Sequence, residues 1–160
     1  MIREMNKEEI PACVRVIRSS FMTVAEELGF TEENAPRFTA FATTDERLFY
    51  QAEVEKRPMY VYSSNDEILG YYSLSKQSET EWELNNLCVL PEHRHEGIGD
   101  KLLQDAFARV KELGGTKLNL GIVEENKRLR AWYESKGFLH IGTKKFDFFP
   151  FTCGYMERQL

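Results

Sequence analysis

The chain has 160 residues, 42% of them hydrophobic, and a formal net charge of −5. Residues 1–160 therefore read as one domain with a core of its own, and no apolar run approaches the length of a membrane span. The acidic balance, with no basic block or stripe, argues against a nucleic-acid partner and agrees with a cationic substrate.

Ile2 to Met5 is a short first strand. Asn6 followed by Glu9 reads as a capping box, and Ile10, Val14, Ile17, Phe21, Val24 and Leu28 then recur at helical spacing up to Gly29. Pro11 falls near the helix start, where it is tolerated. Between Thr31 and Glu55 one or two further helices carry Phe38, Phe41, Leu48, Phe49 and Val54, interrupted at Pro36 and Thr43-Thr44-Asp45. Pro58 to Tyr62 and Ile68 to Leu74 form a hairpin around Ser63 to Asp66, and a third strand, Trp82 to Leu90, stops at Pro91. The helix after Gly99 presents Leu102, Leu103, Ala106, Phe107, Val110 and Leu113 on one face and closes at Gly114-Gly115.

Leu118, Leu120 and Ile122 alternate along the next strand, and Gly121 within it marks close approach of a backbone or a ligand. Asn126 caps a helix carrying Leu129, Trp132 and Tyr133 that stops at Gly137. Phe138 to Thr143 and Phe149 to Met156 are the last two strands. A strand–helix–strand unit around Gly97 implies a right-handed parallel crossover, so the sheet is mixed.

Three separated cysteines, Cys13, Cys88 and Cys153, fit reduced thiols better than a disulfide framework or a zinc site. His93 and His95 lack a third ligand at metal spacing, so no metal is expected. The start, Met1-Ile2-Arg3-Glu4-Met5, lacks the apolar centre of a signal peptide, and a cytoplasmic location is expected.

The most informative stretch runs from Leu84 to Gly99. An apolar strand, a proline, a polar turn with Gly97 and Gly99, and then a helix together place backbone N–H groups at a helix N-terminus, which is an anion site. A Walker loop is excluded, because Asp100 and Lys101 follow Gly99 where Lys-Ser/Thr is needed. A dinucleotide fingerprint is excluded, because Leu102 stands where the third glycine belongs.

What remains, Arg94-x-x-Gly97-x-Gly99 opening a helix, resembles the Q/R-x-x-G-x-G/A element of the GNAT family of N-acetyltransferases. The resemblance extends to Asn126 at the next helix start, Tyr133 about two turns later and Gly137-Phe138, and covers roughly Trp82 to Thr143. Arg94-His95-Glu96 departs from the family, which often has Arg-Gly or Arg-Asn there. His95 and Glu96 are expected to point to solvent and leave their amides to a ligand.

The resemblance implies an α/β (mixed α+β) acyl-CoA N-acyltransferase fold, with a central twisted mixed sheet of about six to seven strands flanked by about four helices. It implies acetyl-CoA as donor. The pyrophosphate would be held by Arg94, His95, Glu96, Gly97, Ile98, Gly99, Asp100 and Lys101, and the pantetheine by strand addition along Cys88, Val89 and Leu90, with Asn126 assisting. A backbone N–H near Val89 would stabilise charge on the thioester oxygen. Tyr133 is the implied donor to the leaving thiolate. Glu83, or Glu81, is the candidate base for the amine, acting through a water, with a cross-strand partner or a substrate-charge anchor as the competing role of Glu83. One of Tyr71 and Tyr72 lines the pocket.

The implied activity is acetylation of a primary amine of a small molecule or peptide, by direct attack in a ternary complex. The alternative is a noncatalytic acyl-CoA-binding module. Acceptor specificity is expected from Phe21 to Glu55 and from Phe146 to Phe151. No membrane or nucleic-acid partner is expected, and a homodimer stays an open option.

Overall fold

Seven strands hydrogen-bond into one sheet in the computed structural model, which describes residues 1–160. In chain order they are β1 (Ile2–Glu4), β2 (Met59–Ser64), β3 (Glu67–Lys76), β4 (Glu81–Val89), β5 (Lys117–Val123), β6 (Leu139–Lys145) and β7 (Thr152–Gln159). In space the order is β1-β2-β3-β4-β5-β7-β6, antiparallel throughout except for β4 with β5. Five helices connect them: α1 (Ile10–Leu28), α2 (Thr39–Ala42), α3 (Asp45–Glu53), α4 (Ile98–Glu112) and α5 (Lys127–Ser135). The mixed sheet bears out the expected fold class, with one more helix because the polar segment after α1 holds two.

Local chemistry explains the boundaries. The Asn6 N–H donates to Glu9 Oε1 at 2.9 Å, a single 3-10 turn follows, and α1 runs until Gly29 closes it at φ 78°. The α4 residues Ile98, Leu102, Leu103, Ala106, Phe107 and Val110 are buried at helical spacing. Leu113, expected on the same face, is 47% exposed, because the helix ends at Glu112 and the cap turns it outward. The last two strands start later than the sequence implies. Phe138 is consumed by the core, and Phe149 to Phe151 pack as a connecting segment.

Two cores lie on opposite faces of the sheet. One joins α4, α5 and the inward residues Trp82, Leu84, Leu118, Leu120, Ile122 and Met156. The other joins α1 and α3 to Met59, Val61, Tyr71 and Cys88. Leu84 and Cys88 are four residues apart and would share a face in a regular strand. They sit in different cores because Asn86 and Leu87 together oppose Tyr72, a β-bulge with Asn86 at φ 52°.

Candidate active site

β4 and β5 pair only at Glu81, Trp82 and Glu83 with Lys117, Leu118 and Asn119. Beyond that rung the strands separate. A cavity of about 230 Å³ occupies the opening, lined by Leu120 and Ile122 from one face of β5 and by Gly121 and Val123 from the other. Since successive residues of a strand point to opposite faces, the cavity passes through the plane of the sheet. The bulge at Asn86 marks the point on β4 where this divergence develops, and Asn86 and Leu87 line the cavity.

The β4 main chain facing this opening follows from the ladder. Leu90 N–H donates to Leu69 O at 2.8 Å, so Leu90 faces β3, and by alternation Cys88 does as well. Val89 N–H and C=O therefore point away from β3, into the opening. Of the three residues expected to pair with a peptide-like ligand, Val89 alone has its main chain free, because β3 takes Cys88 and the Leu90 N–H, and the Leu90 carbonyl accepts from His93 N–H at 2.9 Å.

The N-terminus of α4 lies beside the end of β4: a Cβ built on Gly99 would be 3.9 Å from Val89 Cγ2 and 3.8 Å from the Trp132 ring of α5. Arg94 N–H is spent on Pro91 O at 3.3 Å, and Lys101 N–H on Gly97 O at 3.1 Å. Between them, six consecutive amides, from His95 to Asp100, have no acceptor within the protein. His95 at φ 66° and Gly97 at φ 83° curl the backbone into the left-handed region, which turns successive N–H groups toward one centre. With the helix dipole behind them, such a cluster of free amides is suited to an anionic group.

The side chains of this loop point elsewhere. His95 and Glu96 are exposed as expected, with Glu96 Oε1 3.3 Å from His93 Nδ1. The Arg94 guanidinium lies on α1, where it donates to Thr23 Oγ1 at 3.0 Å, Ser20 O at 2.9 Å and Ser20 Oγ at 3.2 Å. It anchors the loop, and offers a ligand neither its side chain nor its amide. Asp100 pairs with Lys136 at 2.8 Å, which ties α5 to the start of α4.

Asn126 caps α5, accepting from Leu129 N at 3.3 Å, while its Nδ2 donors make no hydrogen bond to the protein. Tyr133 lines the cavity from the α5 face. Its hydroxyl makes no protein hydrogen bond, and burial, with the neighbouring Cys88 thiol, holds its pKa well above the ordinary phenol value.

The two glutamates of β4 are now distinguishable. Glu81 Oε1 accepts from Asn119 Nδ2 at 2.7 Å and is committed to the sheet. Glu83 has no hydrogen-bond partner. Burial raises its pKa, partly offset by Arg57, and its charge is felt by Tyr155 on β7. Neither Tyr71 nor Tyr72 lines the cavity: Tyr71 is buried under α1, and Tyr72 donates to Asp105 Oδ2 at 2.6 Å beneath α4. Tyr155 lines it instead. Sequence reasoning missed this residue, although its alternation with Met156 was visible.

The sequence model of the acetyltransferase (GNAT) family matches residues 25–138. The chain belongs to that family. The acetyltransferase is 26% identical over 113 residues to an uncharacterised N-acetyltransferase of Mycobacterium bovis, covering 71% of this chain and 66% of the relative's length. It is 26% identical over 148 residues to the thialysine N-epsilon-acetyltransferase of Bos taurus, covering 86% and 82%. Its fold superposes on the PaiA N-acetyltransferase of Thermoplasma acidophilum in complex with coenzyme A, with a TM-score of 0.82 at 20% identity over 100% and 98% of the two chains. An aminoglycoside 6′-N-acetyltransferase complexed with coenzyme A gives a TM-score of 0.72 at 17% identity, covering 99% and 96%. GNAT enzymes use acetyl-CoA as donor. The free amides of α4 and the open edge of Val89 are of the kinds that its pyrophosphate and its amide-bearing arm require.

Proposed function

We propose that this GNAT protein transfers the acetyl group of acetyl-CoA to a primary amine of a small molecule or peptide, by direct attack within a ternary complex. One observation carries the reading: six unpaired amides at the α4 N-terminus, the outward main chain of Val89 beside Gly99, and a cavity between β4 and β5 bearing a free tyrosine hydroxyl follow one another along the same strand-to-helix path. An elongated ligand with an anionic centre and a peptide-like arm fits that path.

The amides of His95 to Asp100 hold the pyrophosphate, and Val89 pairs with the arm as a neighbouring strand would. The Val89 N–H then lies beside the thioester oxygen and stabilises the charge it gains during attack. Glu83 takes the amine's proton directly or through Tyr155 and water. Its raised pKa makes it a stronger base than a solvated glutamate.

As the C–S bond breaks, the sulfur gains negative charge and Tyr133 donates a hydrogen bond to it. Phenol and thiol differ by roughly 1.5 pH units in water, about 2 kcal/mol, so complete proton transfer is uphill. Burial raises the phenol further, so Tyr133 acts as a hydrogen-bond donor. The test is release of coenzyme A thiol from acetyl-CoA with and without amines. Amine-dependent release supports the transferase. Tight acetyl-CoA binding with no release on any amine would establish a sensing module instead.

A further inference from the structure

The acceptor end of the cavity differs in chemistry from the donor end. On the α1 side the walls are Phe21, Phe38, Phe149, Phe151 and Tyr155. Phe38 meets Phe151 edge-on at 5.8 Å, and Phe149 stacks on Phe151 at 4.5 Å. These rings form a continuous aromatic wall. Among all the lining residues only one is charged, and it is Arg37. Its guanidinium lies 4.2 Å above the Phe148 ring, is exposed at the rim and forms no ion pair within the protein.

This arrangement discriminates between classes of amine. A polyamine or an aminoglycoside brings several ammonium groups, and each one buried without a counter-charge is costly. The nearby carboxylate Glu83 is assigned to the reacting amine, and no lining residue is acidic. A second ammonium would find neutral side chains, most of them apolar, and a guanidinium as the one charged group of the lining. Stacking of a cation on a ring recovers part of its hydration, but the positive charge of Arg37 at the rim repels a further cation.

We infer that the acceptor is a compact primary monoamine with a flat apolar body and an anionic group at the end away from the amine, which Arg37 meets at the rim. The body fills the aromatic wall by ring packing. The anion completes a charge-assisted hydrogen bond to a guanidinium that the protein itself leaves unpaired. The acidic net charge of the chain pointed toward cationic acceptors in general. The local lining narrows that to a single cationic centre.

The inference rests on the acetyl-transfer reading, and one experiment separates the two. Thiol release from acetyl-CoA is measured with 4-(2-aminoethyl)benzoate, phenethylamine, spermidine and kanamycin, alongside calorimetry of acetyl-CoA binding. The benzoate is expected to exceed phenethylamine in kcat/KM by roughly five- to tenfold, and both to exceed the polycations. Arg37→Gln, at an exposed position, should bring the ratio of the two aryl amines close to one while spermidine stays poor. Spermidine or kanamycin reacting as fast as the aryl amines would overturn the inference and leave the transferase intact. Equal rates for the two aryl amines in the wild type would overturn the role of Arg37 and the anionic group with it. Acetyl-CoA binding with no release on any amine would overturn the transferase reading and the inference together.

Discussion

Glu83 and Asn119 are the last residues at which β4 and β5 pair, and the strands diverge beyond them. The unpartnered carboxylate thus stands on the last paired rung, outside the residues that line the cavity, and its charge is felt by Tyr155, which does line it. Asn119 occupies the same rung but turns its amide to Glu81 at 2.7 Å, which leaves Glu83 unpaired.

Replacing Glu83 with Gln is expected to lower kcat/KM by about 10²-fold or more at pH 7, the usual contribution of a positioned base. The wild-type rate should rise with pH through an acid limb lying above the ordinary glutamate range, because burial raises this group. The variant should lose that limb. Since a raised pKa means that the folded state disfavours the charged form, its stability cost grows as pH rises through the folded value. The Gln variant should therefore be at least as stable as wild type at pH 7, measured by urea denaturation. Lower activity together with lower stability would point to a structural role.

Tyr133→Phe should reduce kcat by about 10²-fold with little change in the dissociation constant of acetyl-CoA. The hydroxyl has no protein partner to lose, so thermal stability should be unchanged. Equal loss of turnover and binding in single-turnover and calorimetric measurements would contradict the assignment.

Arg94→Gln removes three hydrogen bonds between the anion loop and α1. The amides would remain but would have to be ordered on binding. The expected result is a rise of roughly tenfold in the acetyl-CoA dissociation constant with kcat at saturation largely kept. Arg94→Lys should restore little, because a single ammonium cannot span the carbonyl and the two hydroxyls.

A Cβ at Gly70 would lie 2.8 Å from Leu102 Cδ1 and 3.1 Å from Cys88 O. That glycine lets α4 approach the sheet closely. Gly70→Ala should push α4 outward, destabilise the fold by about 1–3 kcal/mol and weaken acetyl-CoA binding, since the loop amides move with the helix. Chemical denaturation and calorimetry on the same variant test both effects.

Periodicity made the element order legible because most strands bury one face and each long helix one stripe. The α4 stripe and the alternation of Leu118, Leu120 and Ile122 both appear as expected. The family was legible for a different reason, since Arg94-x-x-Gly97-x-Gly99, weak alone, is followed in order by Asn126, Tyr133 and Gly137-Phe138. Side-chain direction was not legible. Arg94 points to α1 because Ser20 and Thr23, more than seventy residues earlier, supply its acceptors. The bulge at Asn86 was equally hidden, and it shifts the alternation of every β4 residue after it. Tyr155 reached the cavity through the pairing of β7 with β5, a long-range contact that no local pattern records.

The bulge has one more result, and it concerns kinetics. A cysteine on the strand proposed to pair with the acetyl-CoA arm is a natural rival nucleophile, since thiol–thioester exchange is facile. The extra residue turns Cys88 into the α1 core, where burial keeps its sulfur protonated far above neutral pH. An acyl-enzyme is thereby disfavoured. Rapid mixing of enzyme with acetyl-CoA should show no burst of free thiol before an amine is added, and initial rates should give intersecting rather than parallel double-reciprocal lines.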